Sequence, residues 1–172
     1  YTRSDTLSLH DALPISKKKI TNSEELPGAL LQVVDKDGNV VEEWISTDQP
    51  HEIVAKLVVD ESYVLREVRP ADGWAYAEDV PFKVSHDGTV DYVKMEDKPT
   101  HVVISKQEIT GSKELPGCTL QVIDKNGNVV DEWVSTDQPH EIKEKLIADE
   151  EYTLREVRPA DGWAYAEDIP FK

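Results

Sequence analysis

The chain has 172 residues, 38% hydrophobic and 31% charged, a composition that supports packed cores and excludes wholesale disorder. Its formal net charge of −16 repels phosphate backbones and anionic lipid, so neither nucleic-acid binding nor membrane insertion is expected, and no apolar stretch is long enough to span a bilayer. Cys118 is alone, so no intrachain disulfide can staple the fold.

In chain order, Thr6 to Ile15 resemble one reading frame of a common sequencing-adapter oligonucleotide. Residues 1–15 are therefore expected to be an artefactual, disordered segment outside the fold, the alternative being a short natural arm. A strand opens near Lys17, and Leu26-Pro27-Gly28 follows as a loop. Leu30 to Val34 and Val40 to Ile45 are β-rich runs around Asp35-Lys36-Asp37-Gly38-Asn39. That segment reads as a hairpin turn, because its glycine is misplaced for a calcium loop and the closing glutamate is absent. A short strand at His51 to Val54, alternating runs at Tyr63 to Val68 and Val90 to Met95, and a strand at Val80 to Val84 complete the set. Pro70, Asp72 and Gly73 punctuate between them. The tally is about seven strands per module, with no sustained helical period, which fits an all-β antiparallel sandwich.

The pattern then repeats without a gap. Lys17 returns as Lys106, 89 residues on, and so do Leu26-Pro27-Gly28 as Leu115-Pro116-Gly117, Trp44 as Trp133, His51 as His140 and Glu67 as Glu156. About three quarters of the aligned positions are identical. The expected organisation is a module over 16–100, a linker at Lys98-Pro99-Thr100, and a second module over 101–172 that lacks its last strand, since Lys172 aligns with Lys83. Such a chain is read as a fragment of a longer repeat protein.

Strand parity places three ionisable residues on apolar faces. Val102, Ile104 and Lys106 share one face, and Lys17 is the equivalent lysine of the first copy. Tyr63, Leu65 and Glu67 share a face, as do Val93, Met95 and Asp97. Charges buried in this way cost several kcal/mol apiece unless they pair or neutralise. The residues alone leave open a Lys17–Asp97 salt bridge at an edge, or simple exposure to solvent.

These motifs carry a resemblance. Ile104-Ser105-Lys106, Glu25-Leu26-Pro27-Gly28-Ala29, Tyr63-Val64-Leu65-Arg66-Glu67 ahead of an Asp-Gly-aromatic turn, and the closing Met95-Glu96-Asp97-Lys98-Pro99 resemble Cna-B or SpaA-type pilin modules of Gram-positive bacteria. The resemblance implies tandem Greek-key, prealbumin-like β-sandwiches. It also implies a spontaneous intramolecular isopeptide bond, with Lys17 as nucleophile, Asp97 as acceptor and Glu67 as the proton-shuttling acid. In the second copy it gives Lys106 and Glu156 the same parts with no acceptor strand. The acceptor is Asp where the family more often has Asn, so water rather than ammonia would leave, and Pro70-Ala71 inverts the usual Ala-Pro order.

The function so implied is a structural stalk or spacer of a cell-wall-anchored adhesin or pilin, outside the cell, whose partners are neighbouring repeats of the same chain. The alternative is an adhesin module that contacts a host protein or glycan. No nucleophile–base pair, metal set or phosphate loop points to an enzyme, so self-cross-linking in a single turnover is the one reaction expected, with no cofactor and no metal. His51 and His140 recur without ligand-spaced companions and read as structural. Trp74 and Trp163 are expected to cover the sandwich rim rather than stack on sugars, and Cys118 to replace Ala29 as a small core residue.

Overall fold

The computed structural model describes residues 13–54, 56–85 and 92–172, which hold thirteen strands and no helix. The chain divides into two compact units, Tyr1–Lys98 and Pro99–Lys172.

In the first unit, β2 (Leu30–Asp35), β3 (Val40–Ile45), β5 (Ser62–Arg69) and β6 (Val80–Lys83) form an antiparallel sheet in the order β3-β2-β5-β6. A second sheet, in the order β4-β1-β7, joins β1 (Leu13–Lys19), β4 (His51–Ile53) and β7 (Val93–Asp97). Alternate residues of both sheets point into one core: Ile15, Leu31, Val33, Ile53, Tyr63, Leu65, Val93 and Met95. The β2–β3 turn is the expected hairpin. Asp35 Oδ1 accepts the N–H groups of Asp37 and Asn39, each at 2.9 Å, and Gly38 takes φ +84°.

Two features add to the sequence reading. The sandwich is antiparallel except for β1 and β7, which run parallel, with Lys17 opposite Met95 and Lys19 opposite Asp97. Strands so far apart in sequence are free of the hairpin constraint that forces neighbours antiparallel. The boundary drawn after residue 15 also moves. Leu13, Pro14 and Ile15 open β1 and pair with Ile53, Glu52 and His51. Leu13 and Ile15 are buried, because they keep the apolar parity of Val102 and Ile104, with Leu in place of Val at the first position and the same Ile at the second. Residues 1–12 lie outside the described residues, as do Val90 and Asp91, so the last strand is described from Val93.

In the second unit β9 (Thr119–Asp124), β10 (Val129–Val134), β12 (Tyr152–Arg158) and β13 (Ile169–Phe171) form the sheet β10-β9-β12-β13, and β8 (His101–Ile104) pairs with β11 (His140–Lys143). Its residues include no counterpart of β7. Its interior falls into two clusters, one around Leu115, Cys118, Leu120 and Ala160, the other around Val122, Ile142, Leu146 and Tyr152.

Candidate functional site

The parity that buries Tyr63 and Leu65 also turns Glu67 inward from β5. From the opposite sheet, β1 turns Lys17 inward after Leu13 and Ile15, and β7 does the same with Asp97 after Val93 and Met95. Because Lys17 sits opposite Met95, Asp97 is its diagonal neighbour one pleat along the same face. Lys17 is 2% exposed and Asp97 0%, which removes the solvent-facing alternative. The Lys17 Nζ is in contact with Asp97 Oδ1 and lies 2.7 Å from Glu67 Oε1. Glu67 is oriented by its other oxygen, which accepts the Ala77 N–H at 2.8 Å. Asp97 Oδ2 is buried with no hydrogen-bond partner among the described residues.

One cation therefore faces two carboxyl groups in a site that excludes water. Burial pushes the Asp97 carboxyl up to about 6. The contact with Lys17 opposes that rise, and the neighbouring Glu67 charge adds to it. The Asp97 carboxyl thus takes up a proton at mildly acid pH, with the Lys17 Nζ held against it. Such a set can condense amine and carboxyl into an amide.

The second unit repeats two of the three groups. Lys106 Nζ lies 3.0 Å from Glu156 Oε1, and Glu156 Oε2 accepts the Ala166 N–H at 2.6 Å. Burial raises the Glu156 carboxyl, but the Ala166 N–H, Lys106 and Cys118 outweigh it and hold the group below the ordinary range. No third carboxyl reaches this pair among the described residues, and the Lys106 side chain is 18% exposed against 1% for Lys17.

Other repeated contacts were not legible as function. Trp44 stacks on His51 at 4.3 Å and Trp133 on His140 at 4.1 Å, joining the β3 edge of one sheet to β4 of the other, and likewise β10 to β11. The recurrence of both pairs at one spacing was the available signal. Ser46 Oγ donates to Leu26 O at 2.7 Å and accepts the Ala29 N–H at 2.9 Å, and Ser135 does the same for Leu115 and Cys118. Trp74 is buried, so its ring offers no stacking platform. Among the described residues no three His, Cys, Asp or Glu side chains are grouped to hold a metal ion.

A sandwich of two sheets with its first and last strands paired side by side is the architecture of a prealbumin-like module. The family model of the SpaA prealbumin-like fold domain matches residues 11–99 and again 100–172, and the chain belongs to that family. No curated protein sequence matches it. Among solved structures, the pilus adhesin SpaC of Lactobacillus rhamnosus GG in its open conformation is similar over 93% of this chain and 26% of its own, with 14% identity and a TM-score of 0.50. The Bacillus anthracis TIE protein is similar over 94% of this chain and 31% of its own, with 20% identity and a TM-score of 0.49. The shaft pilin SpaA of Lactobacillus rhamnosus GG is similar over 94% and 91%, with 12% identity and a TM-score of 0.40. The chain thus spans less than a third of SpaC and of the TIE protein.

Proposed function

We propose that the first unit is a self-cross-linking spacer of a bacterial surface pilin or adhesin, working outside the cell in a row of similar repeats. The observation that carries this reading is the convergence of Lys17, Glu67 and Asp97 from three strands into one dry cluster. A proton passes from the Lys17 ammonium to the carboxyl pair, leaving a neutral amine. The amine attacks Asp97 Cγ, Glu67 relays a proton to the departing oxygen, one water leaves, and a Lys17–Asp97 amide remains. Nothing is turned over. The protein consumes its own groups once and needs no cofactor.

The load path supports the assignment. Pulling a tandem chain loads β1 at its start and β7 at its end, and these are parallel neighbours, so their ladder is sheared rather than unzipped. A covalent bond between them closes a loop of 80 residues and carries the tension directly. The test is intact mass. The wild-type chain is expected to weigh one water less than its sequence, and Glu67→Ala to keep its full mass. A folded wild-type chain at full mass removes the cross-link, and glycan or host-protein binding by the first unit would then become the better reading.

A further inference from the structure

The loop between β5 and β6 bonds to Glu67 and to the residue that follows Asp97. Its Ala77 N–H holds Glu67 Oε2 at 2.8 Å, and its Ala75 N–H donates at 2.9 Å to the carbonyl of Lys98, the residue after Asp97. Between them Trp74 is 4% exposed and packs into the core.

The second unit carries the same loop, residue for residue from Pro159 to Asp168. Its local bonds are also the same. Trp163 N–H donates to Ala160 O at 3.0 Å as Trp74 N–H does to Ala71 O at 3.1 Å, and Ala166 holds Glu156. Yet Trp163 is 40% exposed and belongs to neither core cluster. With sequence and local bonding equal, the burial of Trp74 comes from its surroundings, and the strand that meets this loop in the first unit is the end of β7, through Lys98.

We propose that the 70–77 loop is a seal that closes on β7, with Trp74 as the positioning residue that dries the Lys17–Asp97 site and so sets the rate of their condensation. This rests on the cross-linking reading above. The reaction forms one amide bond and expels the Asp97 oxygen as water, taking up a proton relayed by Glu67. Water admitted to the pocket would stabilise the ammonium–carboxylate pair against the neutral amine and acid that react. Burial is also the largest influence raising Asp97, so a leaking seal would return that group towards the ordinary carboxylate range.

The whole 172-residue chain, purified unfolded and refolded by dilution, tests this through the time course of water loss in intact mass. Trp74→Ala is expected to slow the reaction at least tenfold and to move the pH midpoint of its rate below that of wild type. Trp74→Phe is expected to slow it by a smaller factor, and Trp163→Ala to leave it unchanged. Amide hydrogen exchange over Val93–Asp97 shows whether β7 is still docked in each variant. Trp74→Ala reacting at the wild-type rate and midpoint, with β7 protected, overturns the proposal. If that variant loses β7 protection, Trp74→Phe decides: an unchanged rate with β7 protected overturns the seal, and a slower rate supports it. A wild-type chain that never loses water removes the cross-link itself and the seal with it, an outcome read from the wild-type arm alone.

Discussion

The rate of the Lys17–Asp97 reaction is expected to fall as pH rises through about 6, the opposite of what an isolated lysine amine does. On the cross-linking reading, the three groups would react when they share two protons, because a neutral amine, a neutral acid and a protonated relay together hold that number. Moving a proton from the Lys17 ammonium to a carboxyl within the pocket leaves the count unchanged and so adds no pH dependence. What pH controls is whether the second proton is present, and Asp97 at about 6 sets that point. Each pH unit above it removes the proton from about nine-tenths of the remaining sites, so the rate at pH 8 should be about a hundredfold below its acid plateau. Refolding by dilution into buffers from pH 5 to 8, quenching in concentrated denaturant and weighing the intact chain gives the profile. Asp97→Asn supplies the control: it has no such proton to lose, is expected to condense with release of ammonia, and should not show the fall near pH 6. A wild-type rate that climbs tenfold per unit towards alkaline pH would refute the proton count, and with it the role given to the buried acid.

Three further outcomes follow from the contacts. Glu67→Ala, left uncross-linked, frees an 80-residue loop in the denatured chain. The loss is about 4–5 kcal/mol, which in scanning calorimetry lowers the first unit's midpoint by about 20–35 °C. Ser46→Ala strands the buried Leu26 carbonyl and Ala29 N–H. It should cost about 1–3 kcal/mol in urea unfolding, with a similar cost for Ser135→Ala in the second unit. Leu65→Ala opens a cavity at a fully buried position of β5. It should destabilise by about 2–5 kcal/mol, read from the same urea midpoints.

The site was legible because period two is a property of the extended backbone. Once Tyr63 and Leu65, or Val93 and Met95, are inside, Glu67 and Asp97 have no other side to take. The direction of β7 was not legible, since a strand's own residues do not encode the polarity of a distant partner. The start of β1 was hidden differently. Leu13 and Ile15 already carried the core parity, but the likeness of residues 6–15 to adapter sequence drew the boundary past them. Trp74 marks the firmest limit. The identical loop buries its tryptophan in one unit and exposes it in the other, so no local reading could have assigned it.

On the cross-linking reading, the difference between the two units is what would turn a salt bridge into a reactive set. Lys106 and Glu156 are one charge against one, oriented by the same backbone N–H as their counterparts, and the balance holds the Glu156 carboxyl low. That pair is at rest. Adding Asp97 to the same geometry puts two carboxyl groups against one lysine where water cannot reach, and both ionised would leave a buried surplus of one negative charge. Taking up a proton relieves that surplus more readily than leaving it, which is the physical content of Asp97 standing near 6. On the cross-linking reading, the proton that neutralises the excess is the one Glu67 would lend to the departing oxygen and recover from the Lys17 nitrogen as the amide forms. Placing a carboxyl at the diagonal position beside Lys106, on a strand paired with β8 as β7 pairs with β1, should therefore raise that carboxyl and make the second pair reactive. A chain extended by a copy of residues 84–98 after Lys172 tests this through the loss of a second water. Loss of one water alone, with the added strand docked by hydrogen exchange, would mean that charge count is not what distinguishes the two sites.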